Sequence, residues 1–297
     1  MASLRDIRQK IKSVTATQQI TNAMKMMSTA KLSRAIEAVN QTKPYVNKLL
    51  YLARSIKSNV RNFSHPAFED RKVLTSTTIV IGGERGLCGG FNQELHRFAL
   101  DKIKKEALDK QHIYVIGEKP IRFLQNAGIE IEKAFPSLNI KELEPKLNET
   151  AKELYDMFIS GKTDRINVIY TSYISSTKHP IVCQQVLPVP SNSELFEDSD
   201  SEKADQSGNG KKIIPEFEFL PSPAMIYNHI LPRYMYNCLI KAVLESVAAE
   251  QCSRMIAMTS ATDRANEKIE ELQLELNRSR QALITQELNE VIAGSQT

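Results

Sequence analysis

Residues 4–14 read LRDIRQKIKSV, and the apolar side chains of this stretch alternate three and four positions apart: Leu4, Ile7, Ile11 and Val14. That spacing is typical of a coiled-coil seam. It predicts one helix from residue 3 to about residue 60, in which Pro44 either causes a kink or is absorbed at a bend. A helix cannot bury so long a stripe against itself, so this helix needs a partner.

The seam of the first helix becomes polar further along, through Thr17, Gln18 and Thr21. We expect it to resume at three small or flexible apolar residues: Met24, Met27 and Ala30. The methionines of this region, flanked by Lys25 and Lys31, offer a soft and adaptable apolar surface.

A second long helical pattern extends from Ser222 to Ile292. Its seam contains Ser279 in place of one apolar residue and otherwise consists of Ile269, Leu272, Leu276 and Leu283. An apolar tip follows, before Gly294 ends the helix: Ile284, Leu288 and Val291. Because chain ends usually stay polar, this tip indicates insertion into another protein.

The middle of the chain changes to strands that alternate with helical segments. The predicted strands are 77–81, 112–117, 129–131, 165–170 and 180–187, with helices over 92–110, 118–127 and 140–160. This alternation predicts a mostly parallel sheet covered by helices. The fold class is therefore α/β, a central Rossmann-like domain with an antiparallel two-helix coiled coil formed by the N- and C-terminal helices.

The expected domains are an N-terminal coiled-coil helix over 1–65, a central α/β domain over 66–220 and a C-terminal coiled-coil helix over 221–297. Within the central domain, residues 191–210 are acidic and almost free of apolar side chains, which predicts a mobile loop. Four cysteines without CxxC spacing indicate free thiols in a reducing compartment. No apolar run has the length of a membrane span, and no secretory signal is visible.

Charge is unevenly distributed along the chain. Residues 1–60 carry a net charge of +9, residues 191–210 carry −5 and residues 221–297 carry −2. The basic first helix therefore suits the slightly acidic last helix, an acidic protein partner, an acidic membrane surface or simple solvation. Nucleic acid is the weakest interpretation, because the basic segment has almost no aromatic residues and no recognition motif.

A glycine-rich loop over 82–92, GGERGLCGGFN, lies between a predicted strand and a predicted helix. Such a loop can hold phosphate, but its spacing matches neither GxGxxG nor GxxxxGK[ST]. A tight structural or partner-contact turn is the better interpretation. Cys88 stands beside Arg85, which can activate a thiol, yet no base is placed to make it a catalytic nucleophile. We predict no catalytic residue, metal site or cofactor.

Five motifs, in this order, resemble the γ subunit of F-type ATP synthases: residues 1–8 (MASLRDIR), 17–26 (TQQITNAMKM), 85–92 (RGLCGGFN), 254–258 (RMIAM) and 280–288 (RQALITQEL). The resemblance covers essentially the whole chain. It implies a central-stalk rotor that turns inside a hexamer of α and β subunits and couples ion flow through the membrane c ring to ATP synthesis or hydrolysis. It also implies contacts with the ε subunit, a regulatory influence on ATPase activity, and a peripheral position on the cytoplasmic face of a bacterial membrane.

The resemblance further implies which residues contact the β subunits. They are Met24, Lys25, Arg85, Cys88, Arg254, Arg280, Gln281 and Thr285, with Ile284, Leu288 and Val291 as the apolar tip. The chain departs from the family at Lys25, where members usually carry Glu, and at Asn22, where Lys is more usual. The 191–210 loop lacks the cysteine pair of the chloroplast form, so thiol regulation is not expected.

Two other functions compete with the rotor. One is a free-standing α/β enzyme or nucleotide-binding protein that uses its helical arms to dimerise. The other is a coiled coil that binds nucleic acid through its basic arm, in which case binding would fall steeply with added salt.

Overall fold

A computed structural model describes residues 4–59, 65–68, 71–106, 108, 110–189 and 222–295. The predicted acidic loop over 191–210 lies outside them. The chain forms two compact units. The first comprises Met1–Lys31, Leu87–Gly89 and Gln251–Thr297, and the second comprises Leu32–Gly86 and Gly90–Glu250. The domain boundaries predicted at residues 65 and 220 follow the change of element type and stay a prediction.

Two long helices form where the apolar periodicity near each end of the sequence predicted them. Helix α1 is Leu4–Asn59 and continues through Pro44, whereas helix α5 is Pro223–Ser295 and passes Gly294 by one residue. In the first unit, the Thr262 hydroxyl donates to the Thr21 hydroxyl at 2.9 Å. In the second, the Tyr227 hydroxyl donates to the carbonyl of Ala53. Because late residues of α1 meet early residues of α5, the two helices are antiparallel, as predicted.

Burial in the first unit follows an unbroken pattern of alternating three- and four-residue steps. On α1 the buried or half-buried positions include Ile7, Ile11, Val14, Gln18, Thr21, Lys25 and Ser28. On α5 they include Met258, Thr262, Ala265, Ile269, Leu272, Leu276 and Ser279. These are the two sides of a coiled-coil seam.

The predicted continuation of the seam through Met27 and Ala30 is wrong. Met27 is 59% exposed and Ala30 is also exposed, whereas Ser28 is 2% exposed. Lys25 and Ser28 lie seven positions after Gln18 and Thr21, so the heptad period continues through polar residues. The prediction followed the apolar character of Met27 and Ala30 and so placed the wrong face of α1 in the seam.

Leu283 was also expected in the seam, but it is exposed. Thr21 pairs with Thr262, and Leu4 precedes Thr21 by as many residues as Ser279 follows Thr262. The described part of α1 therefore begins where the seam of α5 ends. Beyond Ser279, the described side chains of α5 have no partner seam within the described part of α1.

The second unit contains a five-stranded sheet in the order β3-β2-β1-β4-β5. Its strands are β1 Thr75–Ile81, β2 Lys110–Ile116, β3 Lys133–Phe135, β4 Arg165–Thr171 and β5 Ile181–Leu187. The β1–β2, β1–β4 and β2–β3 pairs are parallel, and β5 is antiparallel to β4. The sheet is thus mostly parallel, as predicted.

The third strand lies later than predicted. It begins at Lys133, which pairs with Tyr114, whereas Ile129 and Ile131 precede it. The side chains of Ile129 and Ile131 pack at the edge of an apolar cluster formed with α2 and α3. Their apolar alternation reflects that packing and not a strand.

Helices cover both faces of the sheet. Helices α2 (Phe91–Lys105) and α3 (Glu118–Asn126) pack on the face to which Val80 points. Helix α4 (Ile140–Ile159) and segments of α1 and α5 pack on the face of Ile79 and Ile81. Successive strand residues point to opposite faces, so both faces of β1 are buried, and its last three residues are apolar.

Truncation of Leu154 on α4 should destabilise the purified chain strongly. Leu154 is fully buried, so Leu154→Ala should lower the free energy of unfolding by about 2–5 kcal/mol through lost burial and a cavity. Urea unfolding measures this change. The control is Ile159→Ala at the exposed end of the same helix, which should cost much less. Equal losses from the two variants would contradict this account of the core.

A half-buried histidine of α2, which faces α3, predicts pH-dependent stability. His96 stacks on Phe123 at 4.5 Å between ring centroids, and burial, with a smaller effect of Lys119, lowers its pKa to about 4. The unfolded chain, whose histidine pKa is about 6.5, binds the proton more readily. His96 should therefore leave the free energy of unfolding unaffected above about pH 6.5 and should lower it as the pH drops from there toward 4.

Urea unfolding at pH 7 and pH 5 tests this linkage. The wild-type chain should lose more stability between these two values than His96→Gln, which has no titrating ring. An identical pH dependence in both proteins would show that His96 is not responsible.

Candidate partner-contact site

The glycine-rich loop lies at the carboxyl end of β1 and is fixed by hydrogen bonds. The amide of Gly82 donates to the carbonyl of Ile116 at 2.9 Å, and the amide of Lys119 donates to the carbonyl of Gly83 at 3.1 Å. The Asn92 side-chain amide donates to the carbonyl of Arg85 at 3.0 Å. The loop is thus tied both to the end of β2 and to the start of α2.

Two glycines allow a close approach between the ends of β1 and β2. Gly117 has φ of 109°, and a Cβ there would lie 2.4 Å from the Gly82 carbonyl oxygen. A Cβ at Gly82 would lie 2.6 Å from Cδ2 of Leu95 on α2. These glycines therefore permit backbone and helix packing, which favours the structural interpretation of the loop over a phosphate site.

Helix α5 occupies the position at which doubly wound sheets usually bind ligands. In the strand order observed here, that position lies between the carboxyl ends of β1 and β4. Ser246 of α5 donates to the carbonyl of Ile81, the last residue of β1, at 3.4 Å. Ser172, directly after β4, donates to the carboxylate of Glu245 at 2.7 Å. The crevice that would receive a nucleotide is therefore filled by the chain's own helix.

The loop residues differ in their accessibility. Arg85 is exposed, and so is Leu87, which adopts φ of 61°. Cys88 is buried, and an effect of Arg85 on its thiol stays a prediction. None of the four cysteines, all of which lie within the described residues, forms a disulfide bond.

The predicted contact residues within the long helices are partly shielded. Met24 and Lys25 are half-buried. Arg254 is only 6% exposed and offers a partner little surface in this chain. No structural observation tests their contacts with another subunit, which stay predictions.

The side chains near the end of α5 are exposed. Arg280, Gln281 and Thr285 are exposed, and the Thr285 hydroxyl donates to the carbonyl of Gln281 at 3.0 Å. The tip residues Ile284, Leu288 and Val291 are between 46% and 69% exposed. They fall four and three positions apart, so the helix brings them onto one face. Exposed apolar faces often form contacts with other proteins, and for this tip such a contact stays a prediction.

The sequence interpretation identified the methionines of α1 as an adaptable apolar surface but did not include Ile20. Ile20, Met26 and Met27 are all exposed, and Ile20 and Met27 lie seven positions apart on one face of the helix. The heptad spacing of the sequence could have identified these residues, because the heptad that places Lys25 and Ser28 in the seam also places Ile20 and Met27 outside it. Ile20, Met26 and Met27 form what we call the outer apolar face of α1.

Groups of three or more potential metal ligands are absent from the residues that the structure describes. Within those same ranges, no helix combines the length and apolarity needed to cross a bilayer.

The fold and its surfaces define a coiled-coil protein with a Rossmann-like unit whose candidate site is a set of protein-contact faces. A family described as ATP synthase matches residues 3–297. The ATP synthase gamma chains of Heliobacterium modesticaldum and Desulforamulus reducens are each 35% identical over 99% of this chain and 99% of their own. The chain belongs to the ATP synthase gamma chain family.

Solved structures share the fold at low sequence identity. A chain of the Euglena gracilis mitochondrial ATP synthase, in a structure of its OSCP, F1 and c-ring, has a TM-score of 0.61 at 17% identity. The match covers 99% of this chain and 93% of that chain. A chain from the central stalk and c-ring of the Tetrahymena thermophila mitochondrial enzyme has a TM-score of 0.57 at 18% identity, with 82% and 99% covered.

Substitution of Gly117 should disrupt the junction of β1 and β2. Gly117→Ala forces a side chain into a positive φ and against the Gly82 carbonyl, so the thermal midpoint of the purified chain should fall by several degrees. Gly86→Ala is the control, because a Cβ there meets no atom within 4 Å. A Gly117→Ala midpoint equal to that of Gly86→Ala would refute the close approach.

Proposed function

We propose that this chain is the central-stalk rotor subunit of an F-type ATP synthase. In this role it turns inside a hexamer of α and β subunits and couples ion flow through a membrane c ring to ATP synthesis or hydrolysis. The observation that carries the proposal is the combination of end-to-end similarity to gamma chains with an exposed apolar tip on a long helix.

The chain contributes contacts and not catalysis in this proposal. Its sheet has the strand order of nucleotide-binding folds, but α5 fills the crevice between β1 and β4. Catalysis would lie in the β subunits, and the chain would act by favouring one conformation of each β subunit over another as it turns. A shaft can do this only if its faces make different contacts.

The proposed contacts with the β subunits form three groups of residues. The first is the end of α5, with Arg280, Gln281 and Thr285 and the apolar tip. The second is the half-buried pair Met24 and Lys25, together with Arg254. The third is the glycine-rich loop with the exposed Arg85 and the buried Cys88. The ε subunit and the c ring are the remaining proposed partners.

The proposed location follows from the proposed complex. The subunit would be held at the cytoplasmic face of a bacterial membrane by its partners. The bacterial gamma chains at 35% identity support a bacterial-type complex. Regulation of ATPase activity and ion flow by this subunit is part of the same proposal.

Acidic substitutions in the apolar tip should impair the assembled enzyme without unfolding the chain. Ile284→Asp with Leu288→Asp replaces two exposed side chains, so the stability of the isolated chain should hardly change. In the complex, each lost apolar contact would cost about 1.5–3 kcal/mol if the side chain is fully covered there. The affinity-tagged chain should co-purify with α and β subunits, and ATP hydrolysis by the complex should fall severalfold in the double variant.

Asn289→Asp is the matched control. It adds a negative charge on the same turn but removes no apolar side chain, so ATP hydrolysis should stay near the wild-type rate. The proposal fails if the tagged wild-type chain is recovered alone or as a homodimer that binds nucleotide. Full activity of the double variant in an assembled complex would remove the tip from the contact surface.

A further inference from the structure

Two oppositely charged side chains of α5 are buried in the second unit. Lys241 is 7% exposed and Glu245 is 4% exposed, and the Lys241 Nζ lies 3.6 Å from Glu245 Oε1. Removing two charges from water is costly, and a well-packed apolar pair at such a position is often as stable or more stable. Stability alone therefore does not explain why charges are placed here.

The pair is part of a polar cluster that connects α5 to the sheet. The second carboxylate oxygen of Glu245 accepts a hydrogen bond from the Ser172 hydroxyl at 2.7 Å, directly after β4. The next residue of α5, Ser246, donates to the carbonyl at the end of β1 at 3.4 Å. The cluster thus lies at the carboxyl ends of the two central strands. We call Ser172, Lys241 and Glu245 the α5 cluster.

Apart from the Ser246 hydrogen bond, apolar side chains of α5 pack in the core against the sheet. Leu239, Ala242 and Val243 of α5 are buried in the same core as Ile81 and Val168 of the sheet. Burial of apolar surface has no directional preference, so it allows neighbouring registers of a helix on a sheet. A hydrogen bond requires a defined distance and angle, and a buried group left without its partner is strongly penalised. The α5 cluster therefore distinguishes one register of the helix from its neighbours.

We propose that the α5 cluster consists of positioning residues that hold α5 at one register on the sheet, so that turning force on the α/β unit reaches the helix without slippage. This inference rests on the proposed rotor function. In its absence, slippage of α5 on the apolar surface would absorb part of each rotation. Ion transport would then be incompletely coupled to ATP hydrolysis, although the chain is folded.

The test removes the cluster as a whole, so that no charge is left unpaired. The variant Ser172→Ala/Lys241→Met/Glu245→Met is compared with wild type in the complete complex in inverted membrane vesicles. The measurements are ions transported per ATP hydrolysed, and the unfolding midpoint of the purified chain. We expect fewer ions transported per ATP, with an unfolding midpoint that is unchanged or raised. A merely structural role would instead lower the midpoint and leave the ratio intact.

A matched control changes another buried polar pair of the same sheet. Thr77 and Thr163 are fully buried and hydrogen-bonded to each other at 3.0 Å. They lie near the amino-terminal ends of β1 and β4, whereas the α5 cluster lies at the carboxyl ends. Thr77→Val/Thr163→Val should keep the wild-type ratio of ions to ATP. Ser172→Thr, which retains the hydroxyl, should also keep it, whereas Ser172→Ala should lower it.

The outcomes separate this inference from the proposed function. If the wild-type chain does not assemble with α and β subunits, the rotor proposal itself fails. If wild type assembles but the triple variant transports as many ions per ATP, the inference is overturned. Should the triple variant fail to assemble, Ser172→Ala decides, because it removes only one hydroxyl group. A wild-type ratio in that variant overturns the inference as well.

Discussion

The structure depends on the seam that α1 and α5 share. These helices are 56 and 73 residues long, and neither can bury its stripe of alternating three- and four-residue steps alone. Each is therefore held in place by the other in the first unit, where Thr21 and Thr262 meet across the seam. Polar residues at such positions reduce the apolar burial but fix which residue faces which. The seam thus fixes the register of the two helices as well as holding them together.

The α/β unit uses a ligand-binding type of fold to hold a helix. Its strand order places a crevice between the carboxyl ends of β1 and β4, and residues of α5 close that crevice with hydrogen bonds to both strand ends. The glycines after β1 and β2 then allow the two strand ends to approach each other. An arrangement that in other proteins leaves space for a nucleotide here becomes an attachment for α5.

Periodicity in the sequence predicted most of the fold but not the direction of β5 or the full seam. Helix α4 was predicted over 140–160 and is Ile140–Ile159, because both its ends and its apolar spacing are clear. The antiparallel β5 was not predicted, although the nine residues between Thr171 and Ile181 are too few for a parallel crossover. The seam at Lys25 and Ser28 was missed because side-chain character was weighed above position. The apolar tip followed from a local pattern of apolar residues near the chain end, whereas the individual β-contact residues came from family resemblance.

In the same stretch of α1, polar residues lie inside the helix pair and apolar residues lie outside it. Lys25 and Ser28 occupy the seam, whereas Ile20, Met26 and Met27 are exposed on the outer apolar face. Polarity is therefore reversed, with polar groups inside and apolar groups outside, which weakens the pair when it is surrounded by water. A protein that covers the outer face would stabilise this stretch. Because that face lies on one side of α1, in the proposed rotor such contacts would differ with rotational position, and this asymmetry would favour one partner conformation over another.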